Sequence, residues 1–163
     1  MSSAICWKKV DVVRPHPGGL ILSYVVSGRT SDLRWPPVVA AERADELWRH
    51  TCFEAFVRPS TGSAYYEFNF SPSTQWAAYQ FSGYRSGMRV ATEISAPRIE
   101  MRSDEATFTL QAALELDGLS SPLHLGLSAV LEETNGHKSY WALAHPPGKP
   151  DFHHADCFTL EFS

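Results

Sequence analysis

Aromatic and β-branched residues recur along the chain in short bursts, at Leu20–Val26, Thr51–Val57, Tyr65–Phe70, Trp76–Phe81, Thr107–Leu116, Leu123–Leu131, Ser139–Ala144 and Cys157–Phe162. Between them stand clusters of Gly, Pro, Ser and Asn, such as Pro59-Ser-Thr-Gly62, Ser71-Pro-Ser73, Asn135-Gly136 and His145-Pro-Pro-Gly148. Short strands separated by turn chemistry predict an all-β fold, an antiparallel β-sandwich of the immunoglobulin-like or jelly-roll kind. Eleven prolines agree, because proline is excluded from helix interiors and from central strands alike. Helical spacing is confined to Ala40–Trp48, where Ala40, Ala44, Leu47 and Trp48 fall on one face. It predicts at most one or two short helical turns, or an ordered loop, leading into the strand near Thr51.

Two turns set hairpins. Asn135-Gly136 tolerates the positive φ of a two-residue primed turn and pairs Leu125–Leu131 with Tyr140–Leu143. The Pro59–Gly62 turn folds Thr51–Val57 back on Tyr65–Phe70. With residues 59 and 62 paired, Glu54 faces Glu67 and Cys52 faces Asn69, so both carboxyl groups share one face of the sheet. Like charges across an antiparallel pair repel and need a cation, a shared proton or water, and Arg85 is the candidate cation. A slip of one residue would send the glutamates to opposite faces.

Composition narrows the classes. At 163 residues and 44% hydrophobic, the chain suits one full core, and no repeat or linker divides residues 1–163, so one domain is expected. A net charge of −4 without a Lys/Arg run argues against nucleic acid as a partner. The first residues lack a basic region followed by an apolar core, and no apolar stretch approaches the ~18 residues of a membrane span. Those features predict an unexported, cytoplasmic protein with no membrane partner. Cys6, Cys52 and Cys157 are odd in number and form no CxxC pair, which fits reduced thiols.

Trp48, Trp76, Tyr79, Tyr84 and Trp141 put flat rings near polar strand positions. Rings that cover the C–H face of a sugar, with carboxylates, amides and arginine for its hydroxyls, make a saccharide site. The candidate ligand-binding residues are Trp48, Glu54, Glu67, Asn69, Tyr79, Arg85, Trp141, His145 and His153. A wet sheet face is the plainer account of Glu54, Glu67 and Asn69. The tail HPPGKPDFHHADC suggests zinc at first, but adjacent histidines in a strand point to opposite faces and no zinc spacing occurs, so no metal site is expected. There, His153 is expected to bond Asp151 or backbone. A GxSxG elbow and a phosphate loop are both absent, and Glu54 with Glu67 is the one pair that could serve a glycoside hydrolase.

The stretches LWRHTCFEAFV, YYEFNFSPSTQWAAYQFSGYRSGM and SYWALAHPPGKPDFHHADCF resemble the bacterial DOMON-like proteins related to the family nine carbohydrate-binding modules, over roughly Asp45 to Phe162. The resemblance implies a β-sandwich that binds sugars or haem between its sheets and end loops without catalysis. In sugar-binding relatives tryptophans grip the saccharide, and Trp48, Trp141, Glu54, Glu67, Asn69 and Arg85 are the matches here. In haem-binding relatives a methionine and a histidine are axial ligands, a pair that Met88 with His145 or His153 would imitate. A small-molecule ligand, a saccharide before haem, is therefore the expected partner.

Overall fold

A computed structural model of the chain describes residues 5–59, 62–116, 119, 122–142, 153, 158 and 160–162. It is built of strands and two 3-10 turns, Thr30–Asp32 and Leu47–Arg49, in agreement with the all-β expectation. In chain order the strands are β1 (Ile5–Val13), β2 (Gly19–Gly28), β3 (Cys52–Pro59), β4 (Tyr65–Phe70), β5 (Trp76–Phe81), β6 (Arg89–Val90), β7 (Arg98–Ser103), β8 (Thr107–Glu115), β9 (Leu123–Glu132), β10 (Lys138–Ala142) and β11 (Leu160–Phe162). The described pairings between these strands are antiparallel. They form a four-stranded sheet, β1-β2-β8-β7, and a seven-stranded sheet, β10-β9-β3-β4-β5-β6, with β11 pairing β9 beyond the end of β10.

Strand periodicity puts alternate side chains on opposite faces, and both faces of the larger sheet have work to do. Its inner face carries Phe53, Ala55 and Val57 of β3, Phe68 and Phe70 of β4, and Leu125, Leu127 and Leu131 of β9. These pack on Leu20, Leu22 and Val26 of β2 and Leu110 and Leu114 of β8 to make the sandwich core. Its outer face buries a second cluster, Phe56, Tyr65, Ala77, Tyr79, Phe81 and Val130, with Leu47 and Phe158 against it. Covered on both sides, β3 and β4 read in the sequence as near-continuous apolar runs.

The Ala40–Trp48 stretch is an ordered loop rather than a helix. Its backbone follows β5, with Trp76 N–H donating to Glu42 O (3.2 Å) and Ala44 N–H to Trp76 O (2.9 Å), before the 3-10 turn at Leu47. Arg43 locks it in place: the guanidinium donates to Ala91 O and Ile94 O, both at 2.9 Å, and lies 4.2 Å over the Trp76 ring. Bonds from a charged donor contribute more than neutral ones, and their loss leaves carbonyls unpaired. Arg43→Ala is therefore expected to destabilise the fold by about 2–4 kcal/mol in a urea titration.

The β9–β10 hairpin forms where Asn135-Gly136 predicts it, but with a longer connection. Glu133 and His137 close it through a 2.8 Å bond from Glu133 N–H to His137 O, and Gly136 takes a φ of 90°. A residue with a Cβ would be strained there.

Candidate functional site in the outer face of the larger sheet

The first hairpin brings the two glutamates to one face, in a register two residues away from the expected one. Glu54 lies opposite Asn69, and Glu67 lies opposite Phe56. The connection after β3 is longer than a two-residue turn. A shift of two preserves parity, so Glu54, Phe56, Glu67 and Asn69 still share one face, with the glutamates as diagonal neighbours. That face belongs to the outer side, where β9 sets Ser128 beside Glu54 and Val130 beside Cys52.

Over it opens a cleft of about 680 Å³. Glu54, Phe56, Glu67, Phe81 and Val130 form its floor. Trp48 and Arg49 stand on one side, Arg85 and Met88 come from the β5–β6 connection, Lys138 and Tyr140 from β10, and His153 from the C-terminal segment. The volume is that of a small-molecule site. Glu54 is 4% exposed and Glu67 6%, so the floor is not a wet sheet face.

Each wall is positioned by identifiable contacts. The turn Leu47–Arg49 starts at Glu46 with a left-handed φ of 59°, and Arg49 Nε pairs with Glu46 at 3.2 Å. Trp48, 37% exposed, meets Tyr79 edge-on with centroids 6.2 Å apart, and the Tyr79 hydroxyl donates to Asp45 Oδ1. Tyr79 thus braces the platform from below. Opposite, residues 82–87 make a tight turn in which Arg85 has φ 51° and its N–H donates to the Tyr65 hydroxyl at 3.1 Å. Gly87 is required by a φ of 67° and by Ser82, whose side chain occupies the space a Cβ would need.

His153 sits among rings, with centroids 4.9 Å from both Phe56 and Phe81. Its Nδ1 is 2.9 Å from the Tyr65 hydroxyl and its Nε2 is 3.4 Å from Glu67 Oε1. The Tyr65 hydroxyl, which accepts from Arg85 N–H, thus joins the β5–β6 connection to the imidazole, whose other nitrogen faces Glu67. His153 meets Tyr65 and Glu67, while Asp151, the partner that the sequence suggests, lies outside the described residues.

The floor is electrostatically unusual. Burial raises the Glu54 carboxyl well above the ordinary carboxylate range, the charge of Glu67 raises it further, and a 3.2 Å bond from Ser128 Oγ–H to Glu54 Oε1 opposes the rise. Burial also raises Glu67, to about 7, against the pull of the Asn69 amide and the Arg85 guanidinium. Burial and the same two carboxyls push the fully buried Cys52 thiol up, so it is an inert core group. Asn69 is fully buried on the same face; close enough to favour the Glu67 anion, its amide completes no well-formed hydrogen bond among the described residues. A buried amide with both atoms unpaired is rare in a folded protein.

Solved structures with this architecture exist. A "putative carbohydrate-binding protein" from Bacteroides uniformis matches with a TM-score of 0.64 at 16% identity, over 96% of this chain and 79% of that one. A carbohydrate-binding module of family nine from Caldicellulosiruptor kristjanssonii, in complex with glucose, matches with a TM-score of 0.50 at 9% identity, over 86% of this chain and 68% of that one. The fold is theirs. No family model and no curated protein matches the chain. At these identities the likeness establishes a β-sandwich such as that of the family nine modules, and says nothing of individual residues.

Of the candidate residues, the cleft assembles Trp48, Glu54, Glu67, Arg85 and His153, with Asn69 and Tyr79 beside them on the same face. Trp141 does not join them. Its register opposite Ala129 turns the indole to the inner face, where it packs on the core and its Nε1–H donates to Ser139 Oγ at 2.9 Å. Tyr140 and Lys138, next along β10, face the cleft instead. His145 lies outside the described residues. Met88 lines the cleft together with His153, whose ring nitrogens lie near the Tyr65 hydroxyl and Glu67.

Sequence reasoning missed Ser128, Arg49, Lys138 and Tyr140. Ser128 is the polar residue within the apolar run Leu125–Leu131 of β9, a detectable signal whose partner follows only from the strand order.

Proposed function

We propose that this chain is a non-catalytic binding module that holds a small saccharide or related polar ligand in the cleft over β3, β4, β5 and β9, and we place it with the bacterial DOMON-like proteins. One observation carries the reading: two buried carboxyls and an unpaired amide lie under a cleft flanked by the Trp48 and Tyr140 rings. A sugar ring matches that arrangement, with its apolar face on an indole and its hydroxyls meeting acceptors and donors below. The family nine module with glucose and the quoted motifs support the same reading.

Titration with a panel of monosaccharides, followed by tryptophan fluorescence, tests it. A saturable change with Kd between about 10 μM and 10 mM is expected, because Trp48 borders the site. Silence across the panel contradicts the reading.

The raised Glu67 favours a second reading, glycoside hydrolysis, in which one carboxyl holds a proton while the other is ionised. Aryl glycosides decide between them. Turnover that Glu67→Gln abolishes would overturn the non-catalytic reading.

A further inference from the structure

Two carboxyls, Glu54 and Glu67, lie side by side at the bottom of the cleft. Glu54 faces the cleft almost fully buried, and among the described residues its carboxyl accepts a hydrogen bond from the Ser128 hydroxyl and meets no cation. Directly opposite, fully buried beside the floor, stands Asn69, with neither Oδ1 nor Nδ2 partnered among the described residues. Glu67, two residues along β4 from Asn69 on the same face, brings the second carboxyl of the floor.

We propose that the preferred occupant is an amino sugar whose ammonium group is seated between Glu54 and Glu67, the two carboxyls of the cleft floor. This rests on the saccharide-binding reading above. An ammonium has three N–H donors and a positive charge, whereas a hydroxyl has one proton to give, so the ammonium can bond both carboxyls at once and offset their charge. A uronic acid would bring a third negative charge to the floor, which repulsion disfavours. Arg49, Lys138 and Arg85 around the cleft repel a polyamine, leaving room for one cationic group, while Trp48, Tyr140 and Phe81 supply apolar contact for a ring.

Binding of the ammonium is linked to protons. Cys52, Tyr79, Arg85 and His153 face the two carboxyls, and Tyr65 reaches them through His153. Burial holds Cys52 and Tyr79 in their neutral forms. A cation arriving between Glu54 and Glu67 favours their charged forms, so protons leave the pair on binding.

Calorimetry at about pH 6.5, where a sugar amine is protonated, compares glucosamine with glucose and N-acetylglucosamine in two buffers of different ionisation enthalpy. Glucosamine is expected to bind at least about tenfold tighter than glucose and to release protons, since hydrogen bonds to charged groups carry that much discrimination. Acetylation, which removes the charge, is expected to erase the advantage. In Glu54→Gln the preference for glucosamine over glucose should fall to within about twofold, and an undiminished preference overturns the proposal. Glu67→Gln serves as the second variant should the first fail to fold. Glucose binding as tightly as glucosamine overturns the amino-sugar proposal and leaves the parent reading intact. Absence of binding by all three sugars overturns both.

Discussion

Glu67→Gln raises the thermal unfolding midpoint at about pH 8 by roughly 6–12 °C and leaves it nearly unchanged near pH 4. The Glu67 carboxyl has its proton held up to about 7 in the folded protein, against 4.5 when free. Between those values the folded state keeps a proton that the unfolded chain has lost, so stability falls as pH rises through the window. Below it the contribution is present in full; above it the contribution is gone and the curve is level. At 1.36 kcal/mol per unit the loss is roughly 3 kcal/mol, and a glutamine, which cannot ionise, does not suffer it. Glu54→Gln acts in the same direction, because Glu54 is raised by burial and by Glu67. The two gains are less than additive, since removing either charge relieves the other. Thermal scans across pH check both. A midpoint that rises with pH in the wild type contradicts the assignment. A site that destabilises its own fold is the pattern expected where selection holds charged groups for a ligand.

Trp48→Ala weakens saccharide binding by about 10–100-fold while the unfolding free energy changes by about 1 kcal/mol or less. The indole is 37% exposed, borders the cleft and touches Tyr79 edge-on, outside the sandwich core. Its removal takes apolar contact from the ligand and little from the fold. Trp141→Ala has the opposite signature, because Trp141 packs against the core on the inner face. That change destabilises by about 3 kcal/mol and alters affinity only as far as the fold loosens. Parallel calorimetry and urea unfolding of the two variants separate platform from core.

These two tryptophans also show what is legible in the sequence. Both stand near polar strand positions and look equivalent there. Which face of β10 Trp141 occupies depends on the pairing of β10 with β9, and a one-residue change in register would exchange it with Tyr140. The glutamates survived a wrong register because the error was even. The bursts that became β2, β3, β4, β5, β8 and β9 are central strands whose apolar side chains declare them. β1, β6 and β7 are peripheral, and their side chains, where described, are mostly exposed or half-buried; Arg98–Ser103 alternates charged and apolar residues and carries little signal. Ser128 bonds Glu54 across 74 residues of sequence and Lys138 borders the same cleft from β10, a proximity created by sheet order alone.

Nuclear magnetic resonance of the tryptophan indole and asparagine amide groups during a sugar titration is the most direct test of where the ligand binds. The indole of Trp48 and the side-chain amide of Asn69 are expected to shift together and saturate at one Kd, with Trp35 and Trp141 unmoved. Shifts confined to Trp35 or Trp141, with Trp48 and Asn69 still, would place the ligand elsewhere and contradict a site on the outer face of the larger sheet.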